Sequence, residues 1–223
     1  MTEKADTIID VISDFVCPWC WIGKRGVDKA MAERPVVRHW RAYFLHPGLP
    51  PGSMARDELM LMKFGPGGVG KQVSSAIADA AARASVEINY DRIEHVPNTL
   101  DAHRLMRWAT GAGVADDVAE GLFAAYFRDG EDIGHADVLA RIGADAGMDA
   151  DILRDLLDGD ADRDAVTAEA AATLDMGFGG VPTQIVARRF PIIGAHGGGE
   201  LVEALDRIDA KAGETKAGEV NPV

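Results

Sequence analysis

The chain begins with two hydrophobic patterns, one typical of a buried strand and one typical of an amphipathic helix. The β-branched run Ile8–Ile12 predicts a buried strand. Apolar positions then recur at helical spacing from Pro18 until the chain reaches Pro35. A second strand is predicted over Val36–Leu45, and it ends at a Pro/Gly cluster over 47–52. A strand, a helix and a strand in close succession favour a parallel pair in an α/β sheet.

The middle of the chain, from about Met54 to Gly177, has the helical pattern throughout. Strands return only with Thr183–Ala187 and Phe190–Ile193, which form a predicted hairpin before a closing helix over Glu200–Ala212. The sequence therefore predicts a small α/β sheet domain interrupted by an all-helical block. The candidate helices of that block are Arg56–Phe64, Val69–Val86, Thr99–Ala112, Val114–Arg128, His135–Ala146, Asp149–Leu157 and Asp160–Met176.

Composition narrows the class of protein and its partners. The 223 residues are 47% hydrophobic and 26% charged, which is the composition of a globular protein and excludes wholesale disorder. The net charge of −13 argues against nucleic acid and anionic membranes as partners. No apolar run approaches the roughly 18 residues of a spanning helix, and the start has no basic and apolar targeting signal. We therefore expect a cytoplasmic protein.

The only two cysteines, Cys17 and Cys20, lie at the predicted junction of the first strand and first helix. Because they are three positions apart, they close too small a loop to staple the fold. A thiol at a helix N-terminus is favoured as a thiolate, so Cys17 would attack and Cys20, one turn later, would resolve the mixed disulfide. Pro18 and Trp19 between them would tune the pair. The alternatives are two ordinary buried cysteines or a zinc site, but the six histidines are scattered, so we expect no metal.

The cysteine segment Asp14–Arg25, DFVCPWCWIGKR, resembles the active-site segment of the DsbA-like thioredoxin-fold oxidoreductases, in particular their cytosolic FrnE-type branch. Three further segments match the family in order, namely Arg41–Pro51, Val96–Leu105 and Gly180–Thr183. The resemblance covers roughly Ile8 to Asp209. It implies an α/β, thioredoxin-like fold with an inserted all-helical domain.

Domain boundaries follow from the pattern and this resemblance together. Residues 1–52 and 178–223 are expected to form a discontinuous thioredoxin-like domain. Residues 53–177 are expected to form a mostly helical insertion and the helix that returns to the sheet.

The resemblance gives a meaning to Val181, Pro182 and Thr183. In the family this proline is cis and lies beside the catalytic disulfide, and the residue before it pairs with an extended substrate peptide. These three residues are therefore expected to bind substrate. From the residues alone, a plain turn proline would be the preferred interpretation.

A second group of candidates comes from the insertion and from the start of the cysteine segment. Asn98 is a suitable helix N-cap and Asp101 would complete a capping box, so a structural role is favoured for Asn98. The resemblance brings this segment towards the active site, which makes Phe15, Asn98 and His103 candidates to line a pocket. His103 could transfer a proton near neutral pH. Asp14 could accept a thiol proton or cap the strand end.

One segment imitates a phosphate-binding loop. Gly65–Gln72 nearly matches the Walker pattern G-x-x-x-x-G-K-[ST]. However, Gln72 stands where the pattern has a Ser or Thr that binds Mg²⁺, and the preceding segment has a helical pattern instead of a strand pattern. We expect the glycines to join two helices.

The preferred function is thus a cytosolic thiol–disulfide oxidoreductase acting on protein or small-molecule thiols and disulfides. No tightly bound cofactor is expected, and glutathione is a candidate co-substrate. The first alternative is a glutathione-dependent isomerase or transferase of the 2-hydroxychromene-2-carboxylate isomerase or kappa type, which the resemblance implies but which commonly has serine at the position of Cys17. The second is a non-catalytic, chaperone-like peptide-binding protein. The sequence leaves the substrate, the direction of exchange and the oligomeric state open.

Overall fold

Six strands form two sheets in the computed structural model, which describes residues 7–65 and 70–218, with the backbone alone for 70–74 and 211–218. The strands are β1 (Thr7–Ser13), β2 (Val36–Ala42), β3 (Ser53–Ala55), β4 (His95–Pro97), β5 (Thr183–Val186) and β6 (Phe190–Ile193). The larger sheet has the order β2-β1-β5-β6, and β3 and β4 form a separate antiparallel pair.

Nine α-helices account for most of the remaining described residues. They are α1 (Pro18–Glu33), α2 (Arg56–Phe64), α3 (Gly70–Ala84), α4 (Leu100–Ala112), α5 (Ala115–Phe123), α6 (Ala136–Asp145), α7 (Ala150–Asp158), α8 (Arg163–Asp175) and α9 (Gly198–Gly218). A π-helical turn, Ala124–Asp129, continues α5, and a 3₁₀ turn covers Tyr90–Arg92. The helical pattern of the sequence therefore predicted the helices well.

The register of the larger sheet confirms the predicted parallel pair. β1 and β2 run parallel from Thr7 opposite Val36 to Ser13 opposite Ala42. β5 is antiparallel to β1 and forms a hairpin with β6. The end of β1 therefore lies between the end of β2 and the start of β5, and it positions the segment that follows.

Two sequence expectations about strands are wrong. The helical block is not all-helical, because β3 and β4 lie within it; each has three residues, which is too short for a period-two pattern to show. β2 ends at Ala42 instead of Leu45. The chain leaves the sheet there because the amide of Leu45 donates a 2.7 Å hydrogen bond to the carboxylate of Asp14.

The outer edge of the sheet at the end of β2 is covered by α8. The Thr173 hydroxyl donates to the carbonyl oxygen of Ala42 at 2.6 Å, and Glu169 accepts from the amide of Ala42 at 3.4 Å. Side chains of α8 thus satisfy strand groups that an edge strand otherwise leaves open. The division into domains at 52 and 177 stays a prediction.

A half-buried ion network joins the sheet to the helical block. Arg38 of β2 donates 2.7 Å hydrogen bonds to Asp28 of α1 and to Asp116 of α5. Trp40 also donates to Asp116, at 2.8 Å. Burial opposes ionisation of Asp116, but its hydrogen bond and charge interaction with Arg38 outweigh this, so the pKa of Asp116 is lowered.

Candidate active site

The two cysteines lie where β1 passes into α1. The amide of Cys17 donates to the carbonyl oxygen of Asp14 at 3.1 Å, which closes a tight turn after the strand. Cys17 is the N-cap of α1 and Pro18 opens the helix, a position that needs no amide hydrogen. The amide of Cys20 donates to the carbonyl oxygen of Cys17 at 3.0 Å, so the two residues span one turn. Both thiols are free, and both are buried.

The surroundings of the two thiols differ. Burial raises the pKa of Cys20 well above its ordinary value, and the hydrogen bond and charge of Cys17 raise it further. The Ser13 hydroxyl and the backbone of Asp14 act in the opposite direction. Cys17 instead lies at the N-terminus of α1, next to the unpaired amide groups of the first helical turn. The arrangement thus pairs a thiol at the helix N-terminus, which is 4% exposed, with a thiol that is 1% exposed and has a raised pKa.

Residues near the start of β5 complete the dithiol site. The Cys17 thiol donates a long hydrogen bond to the carbonyl oxygen of Val181, with 3.7 Å between the two atoms. The Val181–Pro182 peptide bond is cis. Pro182 and Thr183 are buried, and the Thr183 hydroxyl donates to the carbonyl oxygen of Gly180 at 2.9 Å. The structure therefore brings the three predicted substrate-binding residues to the cysteines.

Sequence reasoning missed Gly23, which lets this segment approach α1. A Cβ atom at Gly23 would lie 3.0 Å from the Pro182 side chain, which is tighter than ordinary packing. The signal was a glycine inside a helical pattern, a feature that often marks a close approach. The half-buried Trp19, between the cysteines, is more accessible than either of them.

Phe15, which belongs to the same hydrophobic cluster as the two cysteines, packs against His103. Phe15 is fully buried and its ring centroid lies 5.0 Å from that of His103. The Nε2 atom of His103 is 3.2 Å from the carbonyl oxygen of Tyr43 and 3.6 Å from Oδ1 of Asp14. Both rings line a cavity of about 410 Å³ whose lining residues do not include Cys17. They are thus pocket-lining residues, and their part in the chemistry stays a prediction.

Asn98 does not line this cavity, and it is not the N-cap of α4. The N-cap is Thr99, and Oδ1 of Asn98 accepts from the amide of Leu100 at 3.0 Å while its Nδ2 donates to the carbonyl oxygen of Leu49 at 2.8 Å. Asp101 pairs with Arg104 at 2.8 Å instead of completing a capping box. Asn98 therefore holds a loop against the helix start.

Neither a metal site nor a membrane span emerges from residues 7–65 and 70–218. They contain no group of three or more His, Cys, Asp or Glu side chains placed to hold a metal ion. No helix among them is both long and apolar enough to span a membrane. Of the glycine-rich segment Gly65–Gln72, residues 66–69 lie outside the described residues, and the helix predicted before it is α2.

A free dithiol at the N-terminus of the first helix, beside a proline-led strand of a four-stranded sheet, defines a thioredoxin-like dithiol protein. The family of DSBA-like thioredoxin domains matches residues 8–206, so the chain belongs to that family. This membership confirms the thioredoxin-like fold that the resemblance implied.

Individual relatives agree with the family. The chain is 26% identical to an uncharacterized protein of Bacillus subtilis, YwbO, over 63% of this chain and 66% of the relative, just under two thirds of its length. It is similar to the crystal structure of a probable DsbA oxidoreductase from Streptomyces coelicolor, with a TM-score of 0.80 and 24% identity over 97% of this chain and 92% of that one.

Two further solved structures share the fold. A 2-hydroxychromene-2-carboxylate isomerase has a TM-score of 0.68 and 16% identity over 93% of this chain and 98% of its own. The cytosolic disulfide reductase DsbM from Pseudomonas aeruginosa, solved with glutathione, has a TM-score of 0.62 and 16% identity over 94% of this chain and 98% of its own. At these identities the likeness concerns the fold alone.

Proposed function

We propose that this protein is a thiol–disulfide oxidoreductase that exchanges a dithiol and a disulfide with protein or small-molecule substrates through Cys17 and Cys20. The observation that carries the proposal is the position of the two thiols: Cys17, 4% exposed, caps the N-terminus of α1 and contacts Val181, whereas Cys20, 1% exposed and with a raised pKa, lies one turn inside the helix. Membership of the DSBA-like family supports the same reaction class.

In the reducing direction, the Cys17 thiolate attacks one sulfur of a substrate disulfide. The Cys17–substrate bond forms, and the other substrate sulfur leaves as a thiolate that takes a proton. Cys20 then loses its proton and attacks Cys17, forming the Cys17–Cys20 disulfide and expelling the second substrate thiolate. The substrate gains two electrons, and the protein loses them. The oxidising direction is the reverse sequence, with a substrate dithiol as the electron donor.

Substrate would be held at the start of β5. The backbone of Val181 is 3.7 Å from the attacking sulfur, and an extended peptide that pairs with this backbone would present its own sulfur to Cys17. Pro182 and Thr183 would support that backbone, and Trp19 would contact the substrate from the helix side. Glutathione is proposed as a small co-substrate of the same site, and no tightly bound cofactor is required.

Trapping the mixed disulfide tests the proposal. In the Cys20→Ser variant the first attack proceeds but the resolving attack does not, so Cys17 should accumulate in disulfides with its partners. Non-reducing electrophoresis and mass spectrometry of the variant would show adducts that dithiothreitol removes. The matched Cys17→Ser variant should give none. Equal adducts in both variants, or none in either, would contradict the proposed exchange.

A glutathione-dependent isomerase is the second candidate, because the same fold occurs in a 2-hydroxychromene-2-carboxylate isomerase. Such a reaction needs no resolving thiol. Isomerisation that requires glutathione and continues in Cys20→Ser would favour it. Client binding that both cysteine substitutions leave unchanged would instead favour a chaperone-like protein. The cytoplasmic location stays a prediction.

A further inference from the structure

A second cavity, of about 310 Å³, lies beside the segment that leads into β5. Gly179 and Gly180 line it, and they directly precede the cis bond between Val181 and Pro182. Because consecutive Cα atoms are about 3.8 Å apart, the cavity begins one residue away from the backbone that contacts the Cys17 sulfur. It therefore adjoins the backbone at which substrate is proposed to bind.

The walls of this cavity are mostly apolar. Ile12 and Tyr43 contribute from the sheet side, Leu174 from the last turn of α8, and Phe178 from the segment after that helix. All the described residues that line it are uncharged. Leu174 is 53% exposed and Ile12 is 2% exposed, so the cavity leads from the surface down to the sheet. Its volume of about 310 Å³ is at the lower end of the range of ligand pockets, about 300–1,000 Å³, and suits one large side chain.

The backbone at the edge of the cavity is open to an approaching peptide. A Cβ atom built at Gly179 or at Gly180 would meet no heavy atom of the described chain within 4 Å, apart from those of the adjacent residues. Gly23 differs, since a Cβ atom there would lie 3.0 Å from Pro182. The two glycines that line the cavity thus leave free space, whereas Gly23 serves internal packing.

The cavity lies on the face of the larger sheet opposite to α1, the helix that carries the dithiol. Side chains of a strand point alternately to the two faces of its sheet. Ile9 and Val11 of β1 pack in one buried cluster with Val27 of α1, so these two residues face α1. Ile12 therefore points to the other face, where it lines the cavity together with Leu174 of α8.

This placement decides which substrate side chain reaches the cavity. A peptide that pairs with the backbone of Val181 is extended, so its side chains also alternate between the two faces. Its reacting cysteine must face α1 in order to meet Cys17. The residues immediately before and after that cysteine then face the cavity, and residues two positions away face α1 again.

We propose that this cavity is a specificity pocket for protein substrates, and that it takes an apolar side chain of about the size of leucine from a residue next to the reacting cysteine. Burial of that side chain against Leu174 and Phe178 removes apolar surface from water and holds the peptide sulfur beside Cys17. Glutathione has glycine on one side of its cysteine and a γ-linked glutamate on the other, so it offers the pocket no apolar group. This inference rests on the proposed function, because it names the substrate class of the same site.

Short peptides whose cysteine is bonded to 5-thio-2-nitrobenzoate test the pocket in stopped flow. When the Cys17 thiolate attacks the peptide sulfur, the Cys17–peptide bond forms, the bond to the aromatic sulfur breaks, and the coloured aromatic thiolate leaves. Leucine directly before or directly after the cysteine should raise the second-order rate constant about tenfold over Gly-Cys-Gly, the scale of a few methylene groups in an open apolar pocket. Leucine two positions away should raise it less than about threefold, because it faces α1.

Leu174→Asn replaces an exposed apolar wall by a polar side chain of similar size, and the leucine preference should fall below about threefold. Ile152→Asn is the matched control, since Ile152 is 59% exposed on α7 and does not line the cavity. It should keep the full preference.

The outcomes separate the pocket from the proposed function. The pocket alone would be overturned by a wild-type protein that reacts with Gly-Cys-Gly but shows no leucine preference, by an equal gain from leucine two positions away, or by a preference that Leu174→Asn keeps in full. A wild-type protein that reacts no faster than Cys17→Ser with any of the peptides would contradict the proposed function, and this inference with it.

Discussion

The thiol of Cys17 and the carbonyl oxygen of Val181, 164 positions apart in the sequence, lie 3.7 Å apart and form one hydrogen bond. This contact joins the start of α1 to the start of β5. It places the Cys17 sulfur beside the backbone with which the proposed peptide substrate would pair.

The buried Cys20 thiol should make the reduced protein less stable as the pH becomes alkaline. Its pKa is raised in the folded state, so the folded protein keeps a proton that the unfolded chain releases. The free energy of unfolding should therefore fall as pH rises above the ordinary thiol pKa of about 8.5, by up to about 1.4 kcal/mol per pH unit. Urea unfolding of the reduced protein between pH 8 and pH 10 measures this slope.

Cys20→Ala is the control for that slope, since it lacks the titrating group. Its stability should be flatter over the same range. The range stops at pH 10 because burial raises the pKa of Tyr90 to about 12, so that residue adds its own dependence above its ordinary value of 10.0. Equal slopes in the two proteins would contradict the assigned protonation of Cys20.

The ion pair between Arg38 and Asp116 should stabilise the protein in a pH-dependent manner. Arg38→Met leaves two half-buried carboxylates, of Asp28 and Asp116, without their main partner, and because solvent screens these carboxylates in part the expected loss at pH 7 is about 1–2 kcal/mol. Because the pKa of Asp116 is lowered in the folded protein, this contribution is present above the ordinary value of about 4 and disappears as pH falls below it. The difference between wild type and variant should therefore shrink from pH 7 to pH 3 in urea unfolding. A difference that does not change with pH would mean that Arg38 acts through packing alone.

Arg104 should be the single most costly arginine of α4 to replace. Its side chain is fully buried, and it donates to the carbonyl oxygens of Leu156, Gly159 and Ala161 at 2.6–2.7 Å. Arg104→Met leaves these carbonyl groups unpaired, and we expect a loss of about 3–5 kcal/mol in thermal or urea unfolding. Arg154→Met, which removes an exposed arginine, should cost less than about 1 kcal/mol. Similar losses in both variants would contradict this account.

Gly26 should tolerate no side chain. A Cβ atom there would lie 2.3 Å from the carbonyl oxygen of His196, in the segment that leads into α9. Since that atom is backbone, Gly26→Ala must displace the loop or the helix, and we expect a loss of about 1–3 kcal/mol. At Gly199, in the first turn of α9, a Cβ atom would meet nothing within 4 Å. Gly199→Ala should therefore leave the stability unchanged or raise it, and a larger loss there than at Gly26 would show that the close approach is unimportant.

The sequence predicted the parts of the site that depend on local pattern. The position of Cys17 and Cys20 at the junction of β1 and α1 was predicted correctly. The strand pattern, a proline suited to a first helical turn and the helical pattern follow one another closely in the sequence. No local sequence pattern predicts that Val181 lies beside the cysteines, and only the family resemblance indicated it. Asn98 was misplaced by one position at the start of α4, since Asn and Thr are both good caps and tertiary contacts with Leu49 decide between them.

The close approach at Gly23 could be predicted only in part. A glycine inside a helical pattern often marks a close approach. Its partner, Pro182, lies far along the chain, and only the fold identifies it.

Reduction of insulin disulfides with dithiothreitol, together with oxidative refolding of a reduced disulfide-containing protein, tests the central claim most directly. We predict that the wild-type protein accelerates at least one of the two reactions and that Cys17→Ser falls to the uncatalysed rate in both, because the attacking sulfur is absent. A Cys17→Ser protein that keeps the wild-type rate would contradict thiol–disulfide exchange at this site.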